Sequence, residues 1–480
     1  MNIYDEIPYP SLVYSDTHPD KLATLATLFG LNPPVINNCR ILELGCGDGT
    51  NLIAIAQSLP QATCVGIDFS NSQIISGKKI IATIQITNVT LQQLDFNAID
   101  ESLGKFDYII AHGIYSWVSL EMQDTVLNLI KSHLTADGIA YISYNIYPGW
   151  HTENVVRDMM LYHLQQLSGS SPQNNITEAK GILQFITNLR KSGNSAFDVL
   201  LQEKSQLIQT VDDSYLYHDF LEPENNPVYF HQFIKHTEQH NLNYVTDIEF
   251  RNYLMLNFPT QIASAMQELF KDDFFKQEQY LDFFYHRTLR RSLLCHQDIV
   301  TKRSLNWQSL LDFYIAGNLN TEEVLINNKS IKHTITKTAI QHLLEIYPQR
   351  LQFKELFKLS KHPAKNLAKL RTDLAQELLQ FYCLEAVEFY LEPAIFITKI
   401  TEFPMASPLA QKITSPHVFN LRCELVDISN TAKLLLPYLN GKNNQQALLN
   451  ILSDITEELL DKTLLEIAQN ALLLTEVSVD

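Results

Sequence analysis

A short strand-like run, Arg40–Leu44, ends in Gly45-Cys46-Gly47-Asp48-Gly49, and apolar residues resume at helical spacing from Asn51 to Ala56. A strand that turns into a helix through three glycines leaves few folds open, because the turn is tight and the helix must pack back on its strand. The pattern then repeats. Ala62–Ile67, Val89–Leu94, Tyr108–Ala111 and Ile139–Ser143 read as further strands, and Ser70 or Ser72 is placed to cap the helix after the second. Continuous apolar strands alternating with helices predict an α/β fold around a parallel, doubly wound sheet.

Glycines at the first turn let the backbone approach a ligand closely, since no Cβ stands in the way, and the helix N-terminus behind them favours negative groups. Where a dinucleotide-binding turn has its third glycine, this chain has Thr50. Asp68 ends the second strand and Asp95 the third, and doubly wound sheets bind ligands at strand carboxyl ends. A carboxylate at Asp68 can accept two hydrogen bonds from a ribose diol. One at Asp95 can accept from an adenine amine, with Phe69 or Phe96 against the ring. A plain tight turn with two helix-capping acids is the alternative.

As a set, Glu43 to Gly49, Asp68 and Asp95 resemble the nucleotide-binding motifs of class I S-adenosylmethionine-dependent methyltransferases, over residues 35–150. The resemblance implies S-adenosyl-L-methionine as cofactor, with Gly45, Gly47 and Gly49 on its methionyl part, Asp68 on the ribose and Asp95 on the adenine amine. Glu43, Cys46, Asn51, Phe69, Phe96 and His112 belong to the same implied site, and NAD is the alternative ligand. Four further segments are narrower: Tyr4–Pro10 with Thr17–Asp20, Ala111–Val118, Ser143–Trp150 and Tyr280–His296. Together they resemble bacterial methyltransferases that carry a methyltransferase regulatory domain, a group that includes the rickettsial protein-lysine methyltransferases. This resemblance implies a Rossmann-like core over residues 1–168 and a helical insertion at 169–215 that serves as a dimerisation element. It also implies a regulatory segment over residues 216–300 that completes the core. A helical middle domain at 301–372 and a winged-helix-like domain at 373–480 make the C-terminal part mainly α-helical.

Methyl transfer to an amine needs orientation and a dry site more than a strong base, because the cofactor carries the reactivity. Aromatic walls suit an amine through the ring quadrupole. His112, Tyr115 and Trp117 follow the fourth strand, and Tyr144, Asn145 and Trp150 end the fifth. These six are the expected acceptor pocket, with Tyr115 nearest the nucleophile. Tyr4, Tyr9, Tyr14 and His18 precede the first strand, where a proline-stiffened segment is expected to fold as a lid over the cofactor. A protein substrate with accessible lysines is the leading acceptor. A small molecule, or a cofactor-binding protein without catalysis, is the alternative.

Charge supports this direction. The chain carries a formal net charge of −17, which argues against a protein that grips nucleic acid. Residues 1–150 hold 6 Lys+Arg against 14 Asp+Glu, whereas residues 301–450 hold 17 against 13. A basic run from Lys354 through Lys358, Lys361, Lys365 and Lys369 to Arg371 is expected on one solvated helix face. There is no basic-then-apolar leader, no membrane-length apolar stretch and no Cys-x-x-Cys pair, so a cytoplasmic protein with reduced thiols is expected. His236 and His240 can share a helix face with His231 near them, but no His-Glu-x-x-His pattern is present, and no metal site is expected.

Overall fold

A computed structural model describes residues 6–167, 171–253, 258–270, 273–318, 331–360, 366–412, 418–452 and 455–475. Seven strands form the main sheet: β1 (Arg40–Leu44), β2 (Thr63–Asp68), β3 (Val89–Gln93), β4 (Phe106–Ala111), β5 (Leu134–Asn145), β6 (Leu242–Asp247) and β7 (Leu289–His296). Their order is β3-β2-β1-β4-β5-β7-β6. β7 runs antiparallel to both β5 and β6, and the other pairings of the sheet are parallel. The chain reverses its direction of travel across the sheet between β1 and β4, which opens a crevice at their carboxyl ends. The predicted α/β fold is therefore observed. Its last two strands come from residues 242–296, after a long excursion.

The central strands are apolar on both faces because helices cover both. On one face lie α1 (Pro19–Leu28), α2 (Thr50–Ser58) and α3 (Asn71–Ile84); on the other lie α4 (Leu120–His133) and α8 (Phe230–Gln239). Between β5 and α8 the chain forms α5 (Gly149–Gln165), α6 (Pro172–Leu189) and α7 (Ala196–Thr210). These three close on a core of their own, with Met160, Leu183 and Leu201 at its centre. α9 (Phe274–Tyr285) leads into β7 and anchors it by charge. Arg290 is fully buried; its Nε and Nη2 donate to Asp282 at 3.0 and 2.8 Å, its Nη1 donates to Glu278 at 3.0 Å, and its guanidinium lies 3.9 Å from the Phe230 ring centroid. A charge so deep is tolerated only when it is paired and hydrogen-bonded.

Residues beyond 300 are mainly helical, as expected, with short strands between the helices. A three-stranded antiparallel sheet of β8 (Tyr314–Gly317), β9 (Arg350–Gln352) and β10 (Val387–Tyr390) shares the core under α1. Phe396–Ile397 pairs antiparallel with Leu473–Leu474. The basic run is divided between two helices: Lys354 and Lys358 lie on Phe353–Ser360, Lys369 and Arg371 lie on Leu367–Cys383, and Lys361 and Lys365 lie outside the described residues. Asp20 ties these parts to α1 by accepting from Arg350 at 3.0 Å and from the Leu391 N–H at 2.6 Å. All six cysteines are buried and unpaired. Among the described residues, no helix is long and apolar enough to cross a membrane.

Candidate functional site

The crevice beyond β1 and β4 holds a cavity of about 360 Å³. Its floor is the glycine turn. Gly45 and Gly47 have φ of +68° and +56°, a region that side chains disfavour. A Cβ on Gly45 would lie 2.0 Å from Ile114 Cδ1, whereas one on Gly47 would meet nothing within 4 Å. Gly45 is thus constrained by packing, and Gly47 faces open space. Gly49 heads α2 and backs onto Leu91.

Asp68 fixes the turn from the end of β2. Its Oδ2 accepts from the Gly47 N–H at 2.7 Å and its Oδ1 from the Ser70 N–H at 2.8 Å. Burial raises this carboxyl above its ordinary range, and the backbone donors oppose the rise. Glu43 lies deeper. Its Oε1 accepts from Asn51 Nδ2 at 2.8 Å, and its buried Oε2 has no hydrogen-bond partner among the described residues. Burial pushes this carboxyl up to about 8. An unpaired buried oxygen on a cavity wall suits a donor from a cationic ligand.

The N-terminal segment contributes Tyr9, Pro10, Leu12 and Tyr14 to the cavity wall. It is tied down by the Tyr14 N–H, which donates to Asn51 Oδ1 at 2.9 Å, and by Ser11, which bonds Asp48. The Tyr14 ring lies 3.9 Å, centroid to centroid, from His112. His112 Nδ1 is 2.8 Å from the Tyr141 hydroxyl, and burial, then Arg291, lower its pKa to about 4, so the ring is neutral near pH 7. His18 is elsewhere: it caps α1 and bonds Ser58 Oγ at 2.7 Å, with burial holding its pKa near 3. Tyr4 lies outside the described residues.

The structure brings Glu43, Gly45, Cys46, Gly47, Asn51 and Asp68 to this one cavity, with Phe69 and Phe96 beside them. Asp95 is exposed and accepts from the Asn97 N–H at 2.8 Å, capping the short turn that follows it. The six residues expected around the acceptor divide. His112 and Trp117 line the cavity. Tyr115, Tyr144, Asn145 and Trp150 do not. Residues 115–117 form a 3₁₀ turn, whose period of three sets Ile114 and Trp117 on one side and Tyr115 on the other. The Tyr115 hydroxyl lies 2.6 Å from His236 Nδ1. Tyr144 stacks on Phe233 at 3.8 Å, the Asn145 N–H donates to Ser116 Oγ at 2.8 Å, and Trp150 packs against Trp117 at 5.8 Å.

Among the wall residues that escaped the sequence reading are His218 and Asp219, which arrive from the far end of the excursion. Burial pushes the Asp219 carboxyl up to about 6, against a lowering hydrogen bond from Tyr215. No local pattern marks them, because only the closing of α5–α7 carries them to the site. Four carboxyls, Glu43, Asp48, Asp68 and Asp219, now face the cavity, and no Lys or Arg is among its described lining residues. A pyrophosphate would find no cation there, whereas a cationic ligand would find acceptors, so this wall disfavours the dinucleotide alternative.

Comparison with known proteins agrees. Residues 36–212 match a methyltransferase domain family, residues 212–296 the family described as "Predicted methyltransferase regulatory domain", and residues 402–462 the PKMT C-terminal winged helix domain. A protein of Rickettsia prowazekii is 32% identical over 475 residues, spanning 93% of this chain and 85% of that protein. A second protein of that organism is 42% identical over 236 residues, 49% of this chain and 94% of its own length. The structure of PKMT2 from Rickettsia typhi superposes with a TM-score of 0.82 at 30% identity, covering 97% of this chain and all of that one, and its complex with AdoHcy gives 0.83.

Proposed function

Because the chain belongs to the family of methyltransferases with a regulatory domain that includes the rickettsial PKMT2, we propose that it methylates the side-chain amine of a protein lysine. It is an S-adenosylmethionine-dependent methyltransferase. The cofactor supplies a sulfonium-activated methyl group, which passes to a nucleophile by in-line displacement.

The observation that carries the lysine reading is the acid-lined wall with aromatic rings at its acceptor side. Glu43 would take the cofactor's ammonium on its unpaired Oε2, and Asp68 would take the ribose hydroxyls while it holds the glycine turn. Phe69 and Phe96 would flank the base. On the other side, Tyr14, His112 and Trp117 supply rings, and Asp219 supplies a carboxylate that draws an ammonium in. A lysine must then lose its proton, since at a solution pKa of about 10.4 only about one in a few thousand is neutral at pH 7. Desolvation between those rings and the nearby sulfonium charge both favour the neutral amine. His112, held neutral by burial, adds no opposing positive charge.

The test is transfer of a labelled methyl group from the cofactor into a cell lysate, followed by separation of protein from small molecules. Label recovered as methyl-lysine after hydrolysis of the protein fraction is the expected result. Label confined to small molecules would replace the lysine reading with a small-molecule acceptor. Cofactor binding with no transfer to either fraction would point to a non-catalytic role.

A further inference from the structure

On the opposite side of the 3₁₀ turn, His236 on α8, His240 at its C-terminal cap and Asp124 on α4 converge. The Nε2 atoms of His236 and His240 lie 2.8 and 2.9 Å from the same carboxylate oxygen, Asp124 Oδ1, and one ligand atom from each of the three residues fits within a 4.8 Å span. Spacing of four puts both imidazoles on one helix face. Each ring is also held from behind. His236 Nδ1 is 2.6 Å from the Tyr115 hydroxyl, and His240 Nδ1 is 2.9 Å from Asn128 Oδ1.

We propose that Asp124, His236 and His240 form a binding site for a divalent transition metal of the zinc class. The geometry carries the argument. Both Nε2 atoms converge on one carboxylate oxygen, and two imidazoles with a carboxylate suit an ion of this class. The far ring nitrogens pair with Tyr115 and Asn128, and a hydrogen bond there is the usual orienting partner of a metal-bound imidazole. Tetrahedral zinc with ligand distances of about 2.0–2.2 Å sets ligand atoms about 3.3 Å apart. Asp124 must therefore withdraw by roughly half an ångström, and its half-exposed side chain is free to do so. Two nitrogens and one oxygen leave a fourth position for water. Such an ion would clamp α4 to α8 directly behind the turn that carries Ile114 and Trp117 into the cavity.

The test uses the full-length chain without a histidine tag, stripped by chelator, and titrated with Co²⁺. One Co²⁺ per chain with the visible absorption of a four-coordinate N/O site, displaced by Zn²⁺, is expected. Asp124→Asn and His240→Gln, each with cofactor binding retained as a check of folding, should each weaken Co²⁺ binding by about 10-fold or more. Absence of that absorption, or an unchanged affinity in both variants, would overturn the proposal.

Discussion

The Gly47 N–H donates to the Asp68 carboxylate at 2.7 Å, joining the turn after β1 to the end of β2. One side chain therefore both shapes the floor of the cavity and offers its remaining lone pairs to a ligand. Asp68→Ala removes both functions, and cofactor affinity should fall about 100-fold, or roughly 2.8 kcal/mol at 1.4 kcal/mol per decade. Isothermal titration with S-adenosylmethionine measures it; an affinity within threefold of the parent would exclude Asp68 from the site.

Gly45 and Gly47 should respond differently to alanine. At either position the positive φ costs about 1–2 kcal/mol. At Gly45 the added methyl also collides with Ile114, so Gly45→Ala should lower the melting temperature as well as binding. At Gly47 no protein atom is near. Gly47→Ala should keep most of its thermal stability and lose cofactor binding, because the methyl enters the ligand's space.

With the cofactor's ammonium on Glu43, as proposed, cofactor binding should be proton-linked. Burial raises its pKa from 4.5 to about 8, so it is mostly protonated in the free protein at pH 7. An ammonium beside Oε2 favours the ionised form, so binding should release a proton. Affinity should rise with pH up to about 8 and then level off. Calorimetry in buffers of different ionisation heat reads the proton directly, and Glu43→Gln should abolish the release. The same shift acts on stability. The folded pKa lies above the unfolded value, so the contribution is fully present below 4.5 and is lost as pH rises through about 8. Glu43→Gln should flatten that decline in a series of melts.

In the described part of the N-terminal segment, Tyr14 holds Asn51 and packs on His112 at the cavity wall. Deleting residues 1–15 should weaken cofactor affinity by tenfold or more while leaving the far-ultraviolet circular dichroism of the sheet and helices in place. Unchanged affinity would remove the segment from the site.

Arg290 is the structural counterpart of these binding residues. Arg290→Ala leaves Asp282 and Glu278 without their guanidinium in a buried place, and should destabilise the fold by about 3–5 kcal/mol in chemical denaturation. Arg290→Met, which keeps the stem against Phe230, should cost less only if Asp282 is neutralised as well.

The sequence by itself determined what short-range chemistry controls. The strands, the glycine turn and the acids at strand ends are readable because apolar periodicity, positive φ and strand-end carboxylates are each local properties, and Glu43, Gly45, Cys46 and Gly47 all reach the cavity. Tertiary structure decided which side each neighbouring side chain faces. Tyr115 and Trp117 are two residues apart, yet the 3₁₀ turn sends one toward His236 and the other into the cavity. Asp219 joins Glu43 only after three helices have closed between β5 and α8, and Asp124 meets His236 across 112 positions of chain. Such meetings depend on packing between distant elements, and no spacing within one segment names the partner it will meet in another.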